Sequence, residues 1–169
     1  MGWLGGLLDR VLLLAGVIAG GCIPGFIVQY QQRLGGRLDQ VVRDLAPFQE
    51  IANRMHGGSL DALIKYHLAS TDSTFHAEGA AIQAMVDSAA KLRAAAQALN
   101  TDLWHQIAYL MRDGDPELVR ATWSAFTPVF SLTPDSIMLA LAVGVSLWLL
   151  FVLVWYSGVV GVRRLRGDW

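Results

Sequence analysis

Two long stretches without a single charged side chain constrain this chain more than anything else in it. Val11–Val28 (VLLLAGVIAGGCIPGFIV) runs 18 residues and Ile137–Val162 (IMLALAVGVSLWLLFVLVWYSGVVGV) runs 26. At 1.5 Å per residue, helices of these lengths reach about 27 and about 39 Å, against a bilayer hydrocarbon core of about 30 Å. Both can cross a membrane, the second with tilt. They hold most of the excess that makes the 169-residue chain 54% hydrophobic and only 16% charged, where a soluble domain carries about 25% charged residues.

The residues before the first stretch, MGWLGGLLDR, lack the positive n-region of a signal peptide, because Asp9 cancels Arg10. AGGC before Ile23 has the outline of a lipoprotein cleavage box, but Ala19 stands where a larger aliphatic residue is usual. The expectation is an uncleaved membrane helix. The lone cysteine, Cys22, lies inside it, which rules out an intrachain disulfide; a small packing residue is expected, with a palmitoylated or redox role as the alternative.

Charge sets the expected orientation. The two ends carry four basic residues (Arg10, Arg163, Arg164, Arg166) and two acidic ones (Asp9, Asp168), net +2, and the middle is net −3. Arg163, Arg164 and Arg166 directly after the second span favour a cytoplasmic C-terminus, and two spans place both termini on that side. Arg33, Arg37 and Arg43 pull the other way, but a long middle segment weighs less in the rule. Trp155 and Tyr156, with Trp3 and Tyr30, stand where interfacial anchors are expected.

Between the spans the apolar period is helical. Leu34, Leu38, Val41, Leu45, Phe48, Ala52 and Met55 recur at spacings of three and four, a seam for packing against other helices. Pro47 within it is expected to kink or divide the helix, and His56-Gly57-Gly58 to end it. Ser59 then caps a short helix through Leu68. A second pattern from Asp72 places Phe75, Gly79, Ile82, Met85, Ala89, Leu92, Ala96 and Leu99 on one side. A third helix spans Leu103–Arg112. Asp115 is a candidate N-cap with Pro116 at the first helical position, opening a helix to about Phe126. TPVFSLTPD reads as a linker, and Thr133-Pro134 restarts the chain as the second span.

No segment alternates with the period of a strand. The expected fold is all-α, a two-span transmembrane hairpin carrying a small extramembrane helical bundle. Its parts are the first transmembrane helix (1–29), a periplasmic bundle (30–133), the second transmembrane helix (134–162) and a basic cytoplasmic tail (163–169).

Gly35 and Gly36 sit in the middle of the seam helix, where each costs about 1 kcal/mol relative to alanine. On a helical wheel Gly36 falls about 20° from Gly25, whereas Leu34 and Leu38 lie about 160° from Gly36. The helix therefore has a leucine seam on one side and a glycine strip on the other. Gly16 with Gly20, and Gly21 with Gly25, add small-xxx-small spacings that admit close backbone approach in lipid. Three readings stand together: a hinge at Gly35-Gly36 with a kink at Pro24, tight packing within the chain, or contact with another subunit.

Chemistry is not signalled. His56, His67, His76 and His105 form no paired metal motif. Asp72, His76 and Gly79 lie on adjacent turns with Glu78 nearby, an outline a metal site could use, but a capping or solvated histidine is the expected role. No nucleophile elbow, phosphate loop or dinucleotide fingerprint occurs. The spans hold no charged residue to mark an ion or proton path. Nucleic acid is not an expected partner, because the middle is net acidic and its basic residues are dispersed; Trp104, Trp123 and Phe126 read as core.

FIVQYQQRLGGRLDQ from Phe26, STDSTFHAEGAAIQAMVD, DPELVRATWSAFTPVFSLTPDSI and the terminal span together resemble an uncharacterised family of proteobacterial inner-membrane proteins. That family is a domain of unknown function with a QYxQRLGGxLD-type signature. The likeness covers most of the chain and implies a bacterial inner-membrane location, with no catalytic residue to carry over. The expected function is a non-enzymatic scaffold or accessory subunit without cofactor or metal. It would assemble with itself or with other integral membrane proteins in the lipid bilayer. The alternatives are an envelope sensor signalling through a partner protein, or an oligomeric pore.

Overall fold

The computed structural model describes residues 3–166, with side chains placed for residues 6–155 and for Ser157. It contains six helices: α1 Trp3–Met55, α2 Leu60–Leu68, α3 Ser73–Ala98, α4 Leu103–Asp113, α5 Pro116–Ser124 and α6 Pro134–Arg166. Among the described residues there is no strand. The chain divides into two compact units, one formed by residues 1–29 with 123–169 and the other by Tyr30–Thr122. The segment from Trp123 to Thr133 thus groups with the two apolar helices.

Polar side chains open most of the helices by accepting otherwise unpaired N–H groups. Ser59 Oγ accepts from the Ala62 N–H, and Asp72 Oδ1 from that of Thr74 at 2.7 Å. Asp102 Oδ1 accepts from Trp104 and His105. Asp115 Oδ1 accepts from Glu117 and Leu118, with Pro116 at the first helical position. Thr133 Oγ1 accepts from the Ser136 N–H, again just before a proline. At the end of α1, Gly57 and Gly58 take φ of +59° and +82°. That left-handed pair lets the Ala52 carbonyl accept from both His56 and Gly58 and turns the chain into α2.

α1 is not divided at Pro47; the helix runs on to Met55. Proline removes one backbone hydrogen bond there, but Leu45 and Ala52 on either side are buried and Phe48 packs on the same core, so tertiary contacts hold the turn. Pro24 and Gly35-Gly36 likewise lie within continuous helix.

The Tyr30–Thr122 unit is built on two clusters. Leu45, Ile64, Ile82 and Ala89 join α1, α2 and α3, with Leu38, Val41 and Phe48 against them. Tyr30, Leu34, Leu99 and Leu118 join α1 to the end of α3 and to α5. Small residues permit the approach: a Cβ on Gly79 would lie 2.8 Å from His67 Cβ. The seam fades at its end, where Met55 is 76% exposed.

Among the described residues two helices are long and apolar enough to cross a membrane, within Gly6–Met55 and Pro134–Trp155. Only 22% and 17% of their most apolar windows are buried in the chain, whereas a core helix of a soluble protein would be mostly covered. Leu7, Val11, Leu14 and Ile18 of α1 and Leu141, Leu149, Leu150 and Leu153 of α6 all face outward. This outward apolar surface points to association with a membrane.

Candidate packing and interface site

In the unit containing the apolar helices, glycine and alanine set the spacing of α1 and α6. A Cβ on Gly16 would come 2.8 Å from Gly144 Cα, and one on Gly20 would come 2.9 Å from Ala140 Cα. The order of these pairs makes the helices antiparallel. Leu139, Ala140 and Ser136 are buried on the α6 side. Removing side chains at the crossing brings backbones into van der Waals contact, which is how helices associate in lipid.

Gly21 and Gly25 do not face α6. The Phe130 ring lies directly over Gly21, and a Cβ on Gly25 would meet the Val129 carbonyl oxygen at 2.7 Å. The Ser131 N–H donates to the Gly21 carbonyl at 3.3 Å. One turn beyond Gly25, the Gln29 side-chain amide pairs with both backbone groups of Thr127, donating to its carbonyl at 2.8 Å and accepting from its N–H at 3.3 Å. Phe26 meets Phe126 edge-on with centroids 5.5 Å apart, and Trp123 stacks against Phe126 at 6.1 Å. The segment after α5 is therefore strapped along α1.

Trp123 is not core: it is 70% exposed, and Trp104 is 51% exposed, with only Phe126 of the three half-buried. Helical spacing cannot separate a core position from an apolar side chain at the rim. Tyr30 moves the other way, fully buried in the bundle rather than free as an interfacial anchor. Its phenol oxygen accepts from the Asp115 N–H at 3.2 Å, and burial raises its pKa, as it does that of Tyr109.

In the Tyr30–Thr122 unit, Cβ atoms added at Gly35 or Gly36 would have open space around them. Nearby, Arg37 Nη2 bridges to Glu117 Oε1 at 2.9 Å, tying α1 to α5. Of the seam residues, Leu34 and Leu45 are buried, while Leu38, Val41 and Phe48 pack against the core. A cleft of about 360 Å³ opens between α1, α2 and α3, lined by Val42, Leu45, Leu60, Val86 and Ala89 with Gln49 and Arg93 at its polar side.

The histidines do not converge. Asp72 caps α3, and Glu78 Oε2 lies 3.4 Å from His67 Nδ1 rather than beside His76. That Nδ1 has no hydrogen-bond partner among the described residues. Asp102 Oδ2 meets His105 Nδ1 at 2.5 Å. The side-chain hydrogen bond from His105, with the backbone N–H groups, holds the Asp102 carboxyl below its ordinary range. Among the described residues no group of three or more His, Cys, Asp or Glu could hold a metal ion.

Trp155 is partly exposed, its ring tilted 37° against that of Phe151 with centroids 5.8 Å apart. The side chains of Tyr156, Arg163, Arg164, Arg166 and Trp3 lie outside the described residues. Sequence reasoning passed over Gly144, Val129 and Phe130. The apolar pair inside the linker TPVFSLTP was the available signal.

Comparison with curated proteins and with solved structures gave no match. Residues 4–164 match the family described as a protein of unknown function (DUF2937). With nearly its whole length matched, the chain belongs to that family.

Proposed function

We propose that this protein is a non-enzymatic scaffold or accessory subunit of a bacterial inner membrane. In this reading α1 and α6 form a transmembrane hairpin, the Tyr30–Thr122 helices stand on the periplasmic side, and both termini are cytoplasmic. The basic residues Arg163, Arg164 and Arg166 at the C-terminal end of α6 support that orientation, and the outward leucines of both long helices support the spans.

One observation carries the assembly role. Gly16, Gly20, Gly21 and Gly25 are filled from within the chain, while Gly35-Gly36 is left bare in the middle of a continuous helix. A helix accepts about 2 kcal/mol of glycine penalty more readily where a flat face admits a neighbouring backbone. Native mass spectrometry of gently solubilised protein tests this. An oligomer or a stoichiometric membrane partner, lost in Gly36→Leu, is expected; a strict monomer with nothing co-purifying overturns it.

The cleft beside Leu45 favours a second reading, an envelope sensor that binds a small ligand and signals through a partner. At about 360 Å³ it falls at the lower end of ligand-pocket volumes. Saturable binding of an anionic amphiphile to the full chain, weakened by Arg93→Ala, would favour this reading over the scaffold.

A further inference from the structure

The strapped segment between α5 and α6 has an unusual address. Val129 sits on Gly25 and Phe130 on Gly21, three and seven residues inside Val28, the last apolar residue before Gln29. At 1.5 Å per residue those contacts lie about 5 and about 10 Å below the polar end of the stretch. The depth equals that at which interfacial elements settle, about 5–10 Å into the headgroup–acyl boundary.

The side chains suit that depth, and so does part of the backbone. Leu132 is 78% exposed, and Val129, Phe130 and Trp123 also present apolar surface outward. Non-helical backbone at membrane depth must have its polar groups satisfied. Here Pro128 and Pro134 carry no N–H, and Gln29 serves both groups of Thr127. The Ser131 N–H is taken by Gly21, and the hydroxyls of Thr133 and Ser136 pair at 2.6 Å. The Trp123 ring, apolar with one polar N–H, matches the headgroup level.

We infer that Trp123–Thr133 is an interfacial wedge, seated in the leaflet at the Gln29 end of α1, with lipid as the partner of Trp123, Val129, Phe130 and Leu132. The glycines at 21 and 25 are the notch that holds it against the helix. The inference rests on the membrane-spanning reading of α1 and α6. It adds that the segment leading from α5 into α6 occupies bilayer volume in one leaflet rather than lying in water.

The test uses full-length protein in vesicles of a zwitterionic and an anionic phospholipid. In a Cys22→Ser background, single cysteines at Leu132→Cys, Val145→Cys and Gly35→Cys carry an environment-sensitive fluorophore. Leu132 is highly exposed, so the label leaves the packed contacts in place. Expected is a blue-shifted emission at position 132 that loses intensity with spin-labelled lipid of shallow depth and resists iodide. Position 145 should lose intensity with the deep spin label, and position 35 with iodide alone. Iodide quenching at 132 without lipid quenching, while 145 stays lipid-quenched, overturns the wedge and leaves the spans intact. Protection of 132 from both quenchers means that protein covers it, which also overturns the wedge. Absence of lipid quenching at both 132 and 145 overturns the membrane-spanning reading itself.

Discussion

Gly16 and Gly144 meet backbone to backbone, so close that a methyl group on Gly16 would lie 2.8 Å from the Gly144 Cα. Contact of this kind depends on shape, because lipid offers no hydrophobic drive between helices. Leucine at either position should therefore cost about 1–3 kcal/mol, the usual penalty of overpacking. Thermal unfolding in detergent micelles, with Leu149→Ala on the outward face as control, measures it. An unchanged midpoint for Gly144→Leu would remove the crossing from the fold.

Gly35 and Gly36 should respond in the opposite sense. Nothing stands within 4 Å of a Cβ there, so alanine at each should raise the stability of the isolated chain by roughly 1 kcal/mol through helix propensity. Gly36→Leu should leave the fold intact while weakening assembly. Unfolding curves and native mass spectrometry on the same samples separate the two effects.

Truncations in the bundle should be graded by burial. Ile82 is wholly buried, and truncation to alanine should cost about 2–5 kcal/mol. Met55 is 76% exposed, and its replacement by alanine should stay within about 0.5 kcal/mol. Chemical denaturation followed by far-UV circular dichroism distinguishes them.

Tyr30 links burial to a polar partner. Tyr30→Phe removes the oxygen that accepts the Asp115 N–H and should cost about 1–3 kcal/mol. Tyr30→Ala adds a cavity and should cost about 3–5 kcal/mol, a value measured on aromatic truncations. Hydrogen exchange at the first turn of α5 should quicken in both.

Acid should loosen the start of α4. The Asp102 carboxyl is held below its ordinary value of 3.8, first by the His105 side chain and then by backbone N–H groups. A depressed carboxylate pKa contributes stability above the unfolded value, and that contribution fades as pH falls through the lower folded value. Hydrogen exchange at Trp104 and His105 should therefore accelerate below about pH 3.8, and Asp102→Asn should flatten the dependence.

Much of the fold was legible in residue order because its causes are local. Ser59, Asp72, Asp102, Asp115 and Thr133 satisfy the first turns of their helices from positions fixed by sequence spacing. Gly57-Gly58 ended α1 where the left-handed conformation was required. Pro47 failed as a divider because its lost hydrogen bond competed with a packed core, which spacing alone does not weigh. The site was less legible. A helical wheel assigns Gly25 and Gly36 nearly the same direction, yet one is covered by Val129 and the other is open.

Residue order by itself determined six helices, the caps at Ser59 and Asp115 and two membrane-length apolar rods, since backbone hydrogen bonding, capping and hydrophobicity act over a few neighbours. Which small residues touch α6, which are covered by the Val129-Phe130 strap, and why Tyr30 is buried while Trp123 is exposed were decided by tertiary structure. Those outcomes depend on segments some hundred residues apart meeting in space, and no periodicity along one helix carries that information.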